Sequence, residues 1–125
     1  RRRATPRLDP ARRGGQVYPG RPQERALIHV LAIITAKPGM RERVLEAFRA
    51  NMPAVHAEEG CIEYAPAVDA DGPPFQTKLG PDTFVVIEKW ASLEALKAHA
   101  AAPHMAAYGA KTRDLLASRV IHVLA

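Results

Sequence analysis

Two strand-length segments set the first constraint on what this chain folds into. Residues 27–36 (LIHVLAIITA) are rich in Ile and Val and apolar at even and odd positions alike. Residues 83–87 (TFVVI) share that character and lead into Glu88-Lys89-Trp90. A strand apolar on both faces needs cover on both sides. The length of 125 residues suits one domain. In a two-layer α+β fold helices cover only one face of the sheet. The other face would stand in water, at a cost of about 25 cal/mol per Å² of apolar surface. A second copy of the same sheet is the simplest cover, so a homodimer is expected.

The segments between these runs give the element order. Lys37-Pro38-Gly39 turns the chain. Leu45, Phe48, Met52 and Val55 then recur at helical spacing, with Arg41, Glu42, Glu46 and Arg49 opposite. Pro53 removes a backbone donor and is expected to kink or split that helix near residues 49–53. Gly60 is expected just past its end. Residues 61–68 (CIEYAPAV) read as a weaker strand, which Pro66 assigns to an edge. Residues 69–82 form a loop rich in Pro and Gly, of the kind that covers binding sites. Residues 83–90 are the strongest strand. Ser92 caps the next helix. Pro103 interrupts that helix and starts another, running to about residue 117. Residues 119–124 (RVIHVL) close the chain as a strand. The order β-α-β-β-α-β predicts a ferredoxin-like α+β sandwich with an antiparallel sheet.

The formal charge of +5 suggests nucleic acid until it is located. Residues 1–25 hold eight Arg against Asp9 and Glu24, whereas the other 100 residues carry 10 basic and 11 acidic side chains. The basicity belongs to an N-terminal extension, expected to be disordered, ahead of a near-neutral domain over residues 26–125. No basic-aromatic interleaving occurs outside it, which argues against a nucleic-acid partner. No apolar run approaches membrane-spanning length, and residues 1–25 contain no apolar core of a secretory signal. Cys61 is the single cysteine. It excludes an intramolecular disulfide and fits a reducing, cytoplasmic setting. It follows Gly60 without an evident activator and reads as a small buried hydrophobe.

The densest chemistry lies at residues 84–108 (FVVIEKWASLEALKAHAAAPHMAAY). Glu88, near the end of a strong strand, is expected to be desolvated; it serves as a base, orients a histidine, or sits in an ion pair. Trp90 offers a flat surface to an aromatic ligand or closes the end of the sheet. Tyr64 aims its hydroxyl into a cavity or is a half-buried strand tyrosine. His99 and His104 stand five apart around Pro103, unlike a helical metal pair, and HExxH is absent. His29, His56 and His122 are scattered, so no metal site is expected. His104, Tyr108 and Lys111 share one helical face. No Ser-His-Asp or Cys-His pattern, P-loop or GxGxxG is present.

Taken together, residues 58–69 (EEGCIEYAPAVD), Phe75-Gln76, Pro81-Asp82, Val86-Ile87-Glu88 with Trp90, Ala98-His99, Pro103-His104-Met105 and Ala107-Tyr108 resemble the antibiotic biosynthesis monooxygenase family. Within it they look closest to the small bacterial quinol monooxygenases. The resemblance covers about residues 27–124. It implies a ferredoxin-like protomer, a dimeric α/β barrel with sheets face to face, and oxidation of a quinol or related aromatic by O2 without flavin, haem or metal. It places Tyr64, Glu88, Trp90, His99, His104 and Tyr108 around one cavity. His104 or His99 would be the base, Glu88 would orient it, and Trp90, Tyr64 and Tyr108 would contact the substrate. Two departures stand out. Polyketide-oxidising members carry Asn four residues before the Trp, where this chain has Val86. Haem-degrading members need Asn on the first strand, whereas Asn51 is the only Asn here and falls in the first helix. Haem degradation is therefore the weaker alternative, behind a non-catalytic dimer that binds quinones or aromatic metabolites.

Overall fold

A computed structural model describes residues 27–125, together with the backbone of a ladder between Arg12–Arg13 (β1) and Gln16–Val17 (β2). The remainder of the N-terminal extension, and with it the expectation of disorder there, lies outside the described residues. The domain runs β3 (Ile28–Ala36), α1 (Arg41–His56), β4 (Cys61–Ala67), β5 (Thr83–Trp90), α2 (Leu93–Ala100), α3 (Pro103–Thr112), a 3-10 turn (Arg113–Leu115) and β6 (Leu116–Leu124). The strands form one antiparallel sheet in the order β4-β5-β3-β6. The two strands that are apolar on both faces take the centre, and α1–α3 cover one side. This is the ferredoxin-like α+β architecture that the pattern predicts.

Alternation settles which side chains enter the core. Val30, Ala32 and Ile34 of β3, Phe84, Val86 and Trp90 of β5 and Tyr64 of β4 are buried against Val44, Leu45, Phe48 and Val55 of α1. On the opposite face Leu31, Ile87, Val120 and Leu124 remain exposed, because no helix among the described residues reaches that side.

Local signals act largely as read. Ser92 accepts the Ala95 N–H at 3.0 Å and caps α2. Pro103 opens α3. Pro66 lies on β4, an edge strand. Four details differ. Pro53 does not split α1, which continues to His56. Gly60 sits beyond the helix end, in the turn into β4, with φ +85°. The last helix stops at Thr112, and β6 begins at Leu116 instead of residue 119. The loop after β4 is pinned away from the cavity described below. Asp69 accepts the Leu79 and Gly80 N–H groups at 2.9 Å, and Asp82 accepts the Gly39 N–H at 2.9 Å.

Gly60 is where the turn meets α2. A Cβ there would lie 2.6 Å from the Cβ of Ala95, whereas one on Gly39 (φ +78°) would meet open space. Gly39→Ala should cost only its left-handed backbone, about 1–2 kcal/mol. Gly60→Ala should add overpacking of about 1–3 kcal/mol. Urea unfolding of both variants measures the difference, and equal shifts would contradict the close approach to α2.

Candidate active site

The helix-facing side of the sheet is not fully packed. A cavity of ≈ 410 Å³ lies between β3, β5 and β6 below and Phe48, α2 and α3 above. Its walls are mostly apolar, contributed by residues such as Val30, Ala32, Leu96, Met105 and Ile121. Five polar side chains enter it: Tyr64, Glu88, His99, Tyr108 and Arg119. Tyr64, Glu88, His99 and Tyr108, from strands and helices alike, thus line one partly open cavity.

Each of these groups is positioned by identifiable packing. Tyr64 pairs with Glu88 across β4 and β5, so both point to the helix side. The Tyr64 ring stacks on Phe48 at 5.0 Å between centroids, and Tyr108 meets Phe48 edge-on at 6.1 Å. His56, at the end of α1, donates Nε2–H to the Tyr64 carbonyl at 2.8 Å and ties α1 to β4. Thr112 Oγ1 donates to the Tyr108 carbonyl at 3.0 Å.

Trp90 and His104 do not line the cavity. Trp90 has no solvent exposure and stands behind two groups that do line it. Its Nε1–H donates to Glu88 Oε1 at 2.9 Å, and its ring lies 4.7 Å from that of His99. It is a core residue that fixes Glu88 and His99, because its place at the end of β5 puts it beneath α2. The stripe of His104, Tyr108 and Lys111 also diverges: Tyr108 lines the cavity, while Lys111 is exposed.

The carboxylate that orients the histidines is Glu58, not Glu88. Both Glu58 oxygens lie near His99 Nδ1, at 3.2 and 3.1 Å. His104 Nε2 approaches Glu58 Oε2 at 2.7 Å. A carboxylate has only acceptors to offer, so each ring donates an N–H to it. His99 is thereby left with Nε2 as its remaining polar atom, on a ring that lines the cavity. Glu58 is largely buried and reaches across from the turn after α1 to two helices 41 and 46 residues further on. His104 Nδ1 is buried with no hydrogen-bond partner among the described residues. No set of three His, Cys, Asp or Glu among the described residues is placed to hold a metal ion.

Burial dominates the electrostatics. It pushes the Glu88 carboxyl above its usual range; the Trp90 hydrogen bond and His99 oppose this without reversing it. Burial also pushes the Tyr108 hydroxyl up to about 12, against the pull of Arg119. It raises the Tyr64 hydroxyl further still, helped by the negative charge of Glu88. Both phenols are therefore neutral donors at physiological pH. Cys61 is only half-buried, and burial, Glu58 and Glu88 together disfavour its thiolate. Arg119 and Glu58 were not singled out as site residues by sequence. Arg119 carries a usable signal, the same-face alternation Arg119, Ile121, Val123; Glu58 opens the stretch 58–69 that carries the family resemblance, but nothing local marks its part in the site.

Glu88→Gln keeps an oxygen for Trp90 and removes the charge. The folded protein binds the Glu88 proton more tightly than the unfolded chain does. That contribution is full below the ordinary value of 4.5 and is lost as pH rises through the raised folded value. Wild-type stability relative to Glu88→Gln should thus fall with rising pH in that window, at up to about 1.4 kcal/mol per pH unit. Urea titrations across the window check this, and a pH-independent difference would contradict the desolvated carboxyl.

Residues 27–111 match the family model for antibiotic biosynthesis monooxygenase. The protein named "Probable quinol monooxygenase YgiN" of Escherichia coli (strain K12) is 41% identical over 101 residues, which cover 78% of this chain and 96% of that one. Among solved structures, PA3566 from Pseudomonas aeruginosa superposes with a TM-score of 0.66 at 28% identity, covering 78% of this chain and 91% of the other. Rv0793 from Mycobacterium tuberculosis gives a TM-score of 0.66 at 28% identity, covering 80% and 94%.

Proposed function

The chain belongs to the antibiotic biosynthesis monooxygenase family, and from that premise we propose that it oxidises a quinol or related aromatic substrate with O2 and no bound cofactor. The observation that carries the reading is His99: a histidine 5% exposed, lining an apolar cavity, with one ring nitrogen committed to a carboxylate outside that cavity. This is the arrangement of a positioned general base.

The reaction needs little from the protein. A quinol and O2 give a hydroxylated quinone and one water. Two electrons come from quinol oxidation and two from converting a ring C–H to C–OH. One oxygen atom enters the ring, and the other leaves as water. His99 Nε2 takes the first hydroxyl proton, and the resulting anion is rich enough in electrons to reduce O2 directly. Glu58 is a positioning residue that holds the tautomer, and His104 steadies Glu58 from the far side. Tyr64 and Tyr108, kept neutral by burial, donate hydrogen bonds to developing oxyanions. The apolar walls exclude water and strengthen these bonds. Trp90 contributes through His99 and Glu88 instead of by touching the ring.

Oxygen uptake with reduced naphthoquinol and metal-free protein, corrected for spontaneous oxidation, tests the proposal. His99→Ala should lose about 10²- to 10⁴-fold in kcat with the fold intact by circular dichroism. Glu58→Gln should lower kcat by a smaller factor with little change in KM, since Glu58 does not line the cavity. Equal rates with protein and with buffer would remove the enzymatic reading. Tight quinone binding without turnover would select a binding role.

The functional unit in this proposal is a homodimer in the cytoplasm, with the two sheets packed face to face. Leu31 and Ile87 are 37% and 38% exposed on a side that no helix among the described residues covers. The single cysteine suits a reducing compartment. Among the described residues no helix is long and apolar enough to cross a membrane. Light scattering should give twice the 13.6 kDa of one chain, and Leu31→Glu with Ile87→Glu should give monomer. A monomeric wild type at micromolar concentration would refute the assembly.

A further inference from the structure

Resting on the reading that this cavity oxidises a quinol, we propose that its preferred substrate carries a carboxylate on the aromatic ring, and that Arg119 is the residue selecting it. Arg119 stands opposite Ile34 in the ladder between β3 and β6, and cross-strand partners share a face. Ile34 is buried on the helix side, so Arg119 also points there, and both line the cavity. Among the described residues Arg119 is the only Lys or Arg in the cavity wall. A second hollow of ≈ 520 Å³ continues from the same Ile34, Tyr108 and Arg119, adds Arg113, and has no carboxylate in its lining. Among the described residues Arg119 forms no ion pair.

The one acid of the cavity stands at its other end. Glu88 pairs with Val30, four residues from Ile34 along β3. At strand rise this is a separation of roughly 13 Å, with β3 itself lying between β5 and β6. His99 belongs to the Glu88 end, since its ring lies 4.7 Å from that of Trp90. Arg119 is therefore too distant to neutralise Glu88 or to serve the proton chemistry at His99. A guanidinium beside apolar walls holds a carboxylate through two parallel, charge-assisted bonds. A fused two-ring aromatic acid seated on Arg119 would place its far hydroxyl near His99. The cationic end thus sets which substrate enters and in which direction.

The test compares kcat/KM for a carboxylated quinol (dihydroxynaphthoate) and a neutral one (menadiol) in wild type, Arg119→Gln and Arg119→Lys, with dimer content followed by size exclusion. Wild type should favour the acid by about tenfold or more. Arg119→Gln should bring the ratio to about one, and Arg119→Lys should restore part of it. A wild-type ratio of one, or equal loss on both substrates in Arg119→Gln, would overturn the proposal; the latter would make Arg119 a stabiliser of the reacting anion. If neither quinol turns over, the oxidation reading fails by itself. The selectivity is then decided by Kd for the oxidised carboxynaphthoquinone against menadione, read by tryptophan quenching. A preference that Arg119→Gln abolishes upholds the site, and its absence refutes it.

Discussion

Everything in this domain follows from a mismatch between sheet and helices. Four strands must be covered on the inner side, but the helices do not extend over β6. Val44, Leu45, Phe48 and Val55 seal the middle of the sheet. Beside them, Ile121 and Val123 of β6 point inward and remain about half exposed, at 49% and 50%. The same physics that closes the core therefore leaves a pocket along its margin. A longer α3 or a bulky residue at Ala32 or Ala106 would fill that space. Small side chains there maintain the cavity, and the β6 face gives it an entrance.

Polar groups inside such a space need a reason to be tolerated, since burying a carboxyl without partners costs several kcal/mol. Glu88 meets that requirement with the Trp90 N–H and by holding its proton to higher pH. The Glu58 arrangement is different. Its carboxylate lies outside the cavity wall and receives two imidazole N–H groups, so it can hold His99 without occupying substrate space. Removing the cavity-facing partner, the hub or the outer histidine would have unlike consequences, because only the first lines the cavity. Charge-assisted bonds of this type are about twice as strong as neutral ones. That strength suits the proton-transfer role proposed for His99.

Much of the fold was legible because its signals are local. Alternation in β3 and β5, the Ser92 cap and the Pro103 start each depend on a few neighbouring residues, and the structure reproduces them. Four of the six expected site residues also share the cavity, because strand parity alone puts Tyr64 and Glu88 on one face. Sequence failed where the outcome depends on distant contacts. Glu58 looks like a solvated residue in a polar turn until α2 and α3 fold over it. Trp90 and His104 lie near enough to belong to the site in sequence, yet His104 is drawn to Glu58 off the cavity wall and core packing shuts Trp90 away. The loop over residues 69–82 has covering-loop composition, but Asp69 and Asp82 tie it to backbone elsewhere.

An oxidation in which the substrate supplies its own electrons demands only control of protonation and approach. The barrier lies in forming an electron-rich anion beside O2, and an enzyme lowers it by taking a proton at one fixed atom and holding the anion in a dry space. In the proposed reaction the cavity has its base at the Glu88 end and none at the Arg119 end. Had both ends offered a base, a symmetric quinol could react in either orientation and a substituent would have little influence. A base at one end and a fixed cation at the other break that symmetry. Under the proposal, binding energy at the cation is spent on orientation and affects the rate only by placing the hydroxyl at His99. In the proposed reaction the separation of the two ends along β3 is as important as the histidine itself, and it is set by strand register.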